Sequence, residues 1–194
     1  MKLLSWLYKK YYKYKISFYL KILSNNRNKS GKFRIAHPCL LLGKGKIDIS
    51  SDVKIGYYPS PGFYGTYSHI EARSANSAIF IGERTSINNH ASFIADNASI
   101  YIGCNCLLGT DVEIITSDFH SLSPEFRHQN KEIKTADVII EDNVFIGNHV
   151  SILKGTKIGT NSVIGSGSVV AGIIPANVIA AGNPAQIIRT IKND

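Results

Sequence analysis

Acid is missing from the start of this chain. No Asp or Glu precedes Asp48, while twelve Lys and Arg fall in residues 1–47. The whole chain carries 22 bases and 14 acids, so the remainder is mildly acidic, with ten bases against fourteen acids. The basicity is therefore local. It argues for a surface-binding arm and against a nucleic-acid-binding body. Cysteine is scarce as well. Cys39, Cys104 and Cys106 make no even disulfide framework and point to a reducing, cytoplasmic compartment. Cys104 and Cys106 form a C-x-C without the further Cys/His pair that a zinc site needs, and Cys106 reads as a packed core thiol. Long apolar runs are absent too. Lysines interrupt each one near the N-terminus, well short of the ~18–20 residues that span a bilayer. Lys9, Lys10 and Lys13 also break up any signal-peptide core, and no A-x-A site follows.

What is present is a six-residue beat. Ile140, Ile146, Ile152, Ile158, Ile164 and Val170 fall six apart without a slip. Glu141, Gly147, Gly159 and Gly165 follow four of them, and Val144, Val150, Thr156, Ser162 and Ser168 take the small or β-branched place. The spacing is neither the 2.0 of a simple strand nor the 3.6 of a helix. A fixed period of six marks a parallel β-helix, each repeat one side of a coil. Single repeats bury nothing alone; stacked coils line the aliphatics into one core. The beat is looser upstream, at Ile47, Val53, Ile55, Ile81, Ile87, Phe93, Ile102, Leu108 and Ile114. It breaks at Tyr57–Ser68 and again at residues 116–136.

Residues 2–23 read as a basic amphipathic helix. Leu4, Leu7, Tyr11, Tyr14, Phe18 and Ile22 share a face, with Lys2, Lys9 and Lys13 opposite. Two partners fit such a stripe: an anionic membrane surface, touched peripherally, or protein, either the β-helix itself or a neighbouring subunit. The domain plan is residues 1–31 as helix and linker, and residues 32–194 as the β-helix. Ala185–Ile191 reads as a short closing helix.

A solenoid needs no long loop for stability, so one ejected from a coil is a functional candidate. Residues 116–127 gather Asp118, His120, Glu125 and Arg127. Histidine is the side chain best matched to proton transfer near neutral pH.

Three stretches carry a resemblance: His120 with Arg127 seven residues later, the block Val138–Val150, and the tail Ala180–Arg189. Over about Ile79–Ile191 the chain resembles the hexapeptide-repeat acyltransferases, and within them the galactoside, maltose and capsular-polysaccharide O-acetyltransferases. The resemblance implies a left-handed β-helix, a homotrimer with sites between subunits, acetyl-CoA as acyl donor and no required metal. It implies acetyl transfer to a sugar hydroxyl of a surface polysaccharide or its precursor; the expected location is the cytoplasm, and the basic arm offers a peripheral place at the cytoplasmic face of the inner membrane. His120 would be the general base and Asp118 its orienting partner, although Asp118 could equally shape the loop as an Asx turn. Asn148, Ser166, Ala171 and Arg189 would hold CoA. Asn89 and Arg127 fall on the acceptor side, Arg127 as a loop brace; a left-handed corner of the coil is the rival role for Asn89. Three positions depart from the group: Gln186 replaces an arginine, Ala171 a threonine and Phe145 a tryptophan. An N-acetyltransferase acting on a nucleotide-linked amino sugar is the alternative. A γ-carbonic-anhydrase-like zinc enzyme would need His90, His120 and His149 to converge. A non-catalytic scaffold would have no use for the histidine loop.

Overall fold

The computed structural model describes residues 2–129 and 131–191, with the side chains of residues 2–5, 8 and 9 excluded. Leu4, Lys2 and Lys9, placed on the helix wheel above, therefore have side chains outside the described residues. The coil is triangular. Three sheets of seven, eight and six strands form its sides, all pairings parallel but the last, and the chain visits them in rotation until its final strand. Many strands are two residues long, such as Phe145–Ile146 and Val163–Ile164. Each of these contributes one inward isoleucine. Ile87, Leu108, Ile146 and Ile164 stack in register on the second sheet. Ile79, Ile100, Val138 and Ile81, Ile102, Ile140 do so on the first. All are buried in one continuous core with Cys39 and Cys106. Burying each such side chain is worth about 1.5–3 kcal/mol. Burial also pushes the Cys39 thiol up to about 12 and raises that of Cys106.

The corners are as regular as the sides. At the corner between first and second sheets, Asn143, Asn161 and Asn177 all adopt positive φ. Asparagine tolerates that conformation better than most residues. Their side chains also form a ladder, Asn143 Nδ2 donating to Asn161 Oδ1 and Asn161 Nδ2 to Asn177 Oδ1, both at 2.8 Å. Gly147 must lack a side chain for another reason: a Cβ there would lie 2.6 Å from the backbone N of Ser166 on the next coil.

Helix α1 (Lys2–Phe18) runs into a π-helical turn, Tyr19–Leu23, closed by Ser24 N–H donating to Tyr19 O at 3.0 Å. The helix lies over the early coils. Tyr12 is buried, its hydroxyl donating to Phe63 O and its ring stacked on Phe63 at 4.6 Å. Ser24 and Asn26 then hydrogen-bond the edge strand Cys39–Gly43.

At the far end the expected closing helix does not form. Ala185–Thr190 is a strand, antiparallel to Val178–Gly182. The turn at Gly182-Asn183-Pro184, with Gly182 at φ +113°, reverses the chain onto an open edge of the second sheet. Unsatisfied backbone groups there outweigh the helical propensity of a six-residue segment. Among the described residues no helix is long and apolar enough to cross a membrane.

Candidate functional site

Two corners of the coil carry the chemistry-bearing residues. The long loop leaves the third sheet after Ile115 and rejoins the first at Val138. Its neck is pinned by Ala136 N–H donating to Thr116 O at 3.0 Å and by a bridge between Ser117 and Thr135. The core register is undisturbed, Ile102 still stacking beneath Ile140.

At the tip, His120 is exposed. Its backbone N–H donates to Asp118 O at 2.7 Å. The residues before it are gripped by two cations from the coil. Lys154 Nζ meets Asp118 Oδ1 at 2.7 Å, with side chains only 27% and 18% exposed. Arg73 lies over the Phe119 ring at 5.0 Å, and Phe119 sits at φ +58°. Arg73 is itself held by a two-pronged pair to Glu71 at 3.0 Å, which keeps the Glu71 carboxyl below the usual carboxylate range. Asp118 Oδ2 is buried without a hydrogen-bond partner. Arg127 is exposed and donates to Leu122 O, at 3.4 Å, within its own loop. Ala171 is exposed one residue beyond Val170, which stacks on Ile152; it therefore shares the corner of Leu153-Lys154.

The other corner lies between the second and third sheets. Here Asn89, Thr110, Asn148 and Ser166 stack on successive coils. Asn148 Oδ1 accepts from Thr110 N–H at 2.9 Å, and Asn148 N–H donates to Ser166 Oγ at 3.1 Å. Asn148 and Ser166 are exposed. Beside them His90 Nδ1 lies 2.5 Å from Asp111 Oδ1, and His149 Nδ1 lies 3.7 Å from Asp111 Oδ2. Asn148 and Lys154 are separated by one strand of the third sheet, a span of at most ~20 Å. One chain thus does not bring His120 and the Asn148–Ser166 pair to the same corner. His120 likewise does not converge with His90 and His149. Among the described residues no group of three or more His, Cys, Asp or Glu is placed to hold a metal ion. Arg189 is exposed on the terminal strand, paired with Ile179 of the second sheet.

Asn89 departs from both expectations. It is fully buried. Its Nδ2 donates to Tyr57 O at 3.1 Å and Pro61 O at 3.0 Å, and its Oδ1 accepts from Tyr57 N–H at 3.0 Å. The amide has no group left to offer a sugar, so it braces the Tyr57–Ser68 excursion instead. The left-handed corner residue is its neighbour His90, at φ +61°.

Sequence reasoning missed Lys154 and Arg73. A signal for Lys154 exists: once the loop is assigned to the corner after Ile115, the next coil's residue at that corner falls beside it. The same register marks Arg73, which follows Ala72 at that corner two coils earlier.

Residues 137–172 match the family described as bacterial transferase hexapeptide (six repeats). Those residues carry the hexapeptide repeat of that family. It is 44% identical over 131 residues to a putative acetyltransferase of Saccharomyces cerevisiae, covering 68% of this chain and 61% of that one. It is 41% identical over 123 residues to a galactoside O-acetyltransferase of Escherichia coli, covering 62% and 58%. The hexapeptide-repeat chain thus spans less than two thirds of either relative. Among solved structures it resembles a hexapeptide-repeat acetyltransferase of Vibrio cholerae in complex with acetyl coenzyme A. The TM-score is 0.56 at 28% identity, covering 86% of this chain and 72% of that one. The coil is the left-handed β-helix of this family. Parallel connections are usually right-handed because a twisted strand feeds a right-handed helix. Two-residue strands joined by corners contain no such helix, so that preference lapses.

Proposed function

We propose that this chain is an acetyl-CoA-dependent O-acetyltransferase acting on a sugar hydroxyl of a surface polysaccharide or its precursor. One observation carries the reading: an exposed histidine at the tip of the long loop, whose neighbours are clamped to the coil while its own ring stays accessible. The relatives supply the acyl chemistry, being named as acetyltransferases, one of them of galactosides. The solved structure with acetyl coenzyme A supports the donor.

In this reading His120 accepts the proton of the acceptor hydroxyl as its oxygen bonds to the thioester carbonyl carbon. The negative charge moves to the former carbonyl oxygen, where a backbone N–H would receive it. Collapse restores the carbonyl and breaks the C–S bond. The departing CoA sulfur takes the proton back from the imidazolium, leaving His120 neutral for the next turn. One proton travels through imidazole, and no metal is needed. Asp118 orients the loop, and Arg127 braces it. Asn148, Ser166 and Ala171 present backbone groups along CoA, and Arg189 offers its guanidinium to the nucleotide phosphates.

The same reading calls for more than one chain. Ala171 shares a corner with His120, but Asn148 and Ser166 occupy another. A homotrimer in which one chain's loop faces the next chain's corner would complete the site. Residues 32–194 would carry the transfer, and residues 1–31 would attach it to the cytoplasmic face of the inner membrane. An amino group of a nucleotide-linked sugar is the second acceptor to test.

The test is thiol release from acetyl-CoA across sugars, nucleotide-sugars and polysaccharides. His120→Ala should lower turnover by about two orders of magnitude or more while CoA binding persists. Wild-type turnover in the variant, or absence of CoA binding in the parent, would overturn the reading.

A further inference from the structure

Helix α1 is apolar on two opposite sides. Tyr12, Ile16, Tyr19 and Leu20 turn toward the coil and are buried or half-buried. Leu7, Tyr11, Tyr14 and Phe18, spaced by three and four residues, lie about half a turn away. They face outward: Leu7 is 48% exposed, Tyr11 58% and Tyr14 66%, and Ile22 beyond them is 68% exposed. Trp6 is exposed at the margin, with Lys10 Nζ 5.2 Å from its ring centre. Lys13 and Lys21 are exposed as well. Among its described residues, the stripe that the sequence marks as the helix's apolar face is thus turned outward, and a second stripe is turned toward this chain's β-helix.

Contiguous exposed apolar faces mark interaction sites. Charge decides between partners. No acid precedes Asp48, so two copies of this face would oppose lysines with lysines. An anionic lipid surface complements it. Tyrosine and tryptophan favour the headgroup boundary, and flanking lysines reach phosphates while their stems stay apolar. We propose that the Leu7–Tyr11–Tyr14–Phe18 face of α1 docks in-plane on an anionic bilayer, with Lys10 and Lys21 bound to its phosphates. None of the residues assigned to acetyl transfer lies on this face, so docking and transfer can fail separately.

The full-length protein would be sedimented with vesicles of phosphatidylcholine alone, or with about a third phosphatidylglycerol. Partitioning should be at least about tenfold higher on the anionic vesicles and should weaken with salt. Tyr14→Glu/Phe18→Glu, which alters only exposed positions, should abolish it. Lys10→Ser/Lys21→Ser should reduce it about tenfold, and both variants should keep transfer to a soluble acceptor. Equal partitioning of parent and variants, or no preference for anionic vesicles, would overturn docking. So would ultracentrifugation in which Tyr14→Glu/Phe18→Glu splits a larger assembly, since a second copy would then be what covers the face.

Discussion

Replacing Lys154 by Met should loosen the His120 loop without opening the coil. The Lys154–Asp118 pair is short, at 2.7 Å, and mostly shielded from solvent. A hydrogen bond between charged groups is worth about 1.5–3 kcal/mol, and partial exposure here discounts that to about 1–2 kcal/mol. Losing it leaves both Asp118 oxygens without a partner, since Oδ2 already has none. The loop keeps its neck and the Arg73–Phe119 contact, so only the tip is released. An energy of 1–2 kcal/mol corresponds to a roughly 5–30-fold fall in the population of the poised tip. Two measurements should report that same factor. Amide hydrogen exchange should speed up 5–30-fold at Asp118 and His120, whose N–H groups bond Lys134 O and Asp118 O. The kcat of acetyl transfer should fall by about the same factor, with KM for acetyl-CoA within about twofold. Lys154→Arg restores a cationic donor and should recover most of both. Unchanged exchange at the tip would refute the clamp. Equal acceleration at core amides such as Ile102 and Ile140 would show that the pair holds coils together instead. A Lys154→Arg variant as impaired as Lys154→Met would remove the ionic argument.

Two further outcomes follow from buried polar groups. Asn89→Ala strands the backbone groups of Tyr57 and Pro61 that its amide now satisfies, and should cost about 2–4 kcal/mol in chemical denaturation; a loss below ~0.5 kcal/mol would mean the excursion holds itself. His37 is buried, with Nδ1 unpartnered, and burial pushes its imidazole down from 6.5 to about 4, with Lys15 and His90 opposing its charge. Between those pH values the unfolded chain binds the proton and the folded chain does not, so stability should fall as pH drops from about 6.5 toward 4. The loss should be roughly 2 kcal/mol once screening is allowed for. His37→Phe should flatten that slope in urea melts, and an unchanged slope would assign it to other groups.

The coil was legible from Ile140 to Val170 because nothing interrupts the beat there. Upstream, the same stacking exists but the excursions hide it: Ile102 meets Ile140 only once the intervening loop is set aside. The tail misled because a short apolar segment reads alike as helix or strand, and the deciding fact is the open edge left by the preceding strand, Val178–Gly182, once it joins the second sheet. On α1 both apolar stripes share one spacing, so the pattern alone does not say that Tyr12 and Ile16 meet the coil and Tyr14 does not. At the site, His120 stands out as a residue type in an unusual loop. The Lys154 contact emerges only once the loop is assigned to the corner after Ile115, because coil stacking and not local spacing makes it. Asn89 shows the converse, a conspicuous position whose side chain is fully spent on its own fold.

The two ends of the coil bear on how such chains can assemble. The opening strands present Lys29 and Arg34, both exposed, on unpaired edges, while the closing hairpin presents Arg189. Stacking one chain on another end to end would set cation against cation and would have to displace the hairpin. Axial growth into a fibre is thereby discouraged, although every coil is a template for the next. Association is left to the flanks, the one direction in which two chains can bring different corners face to face.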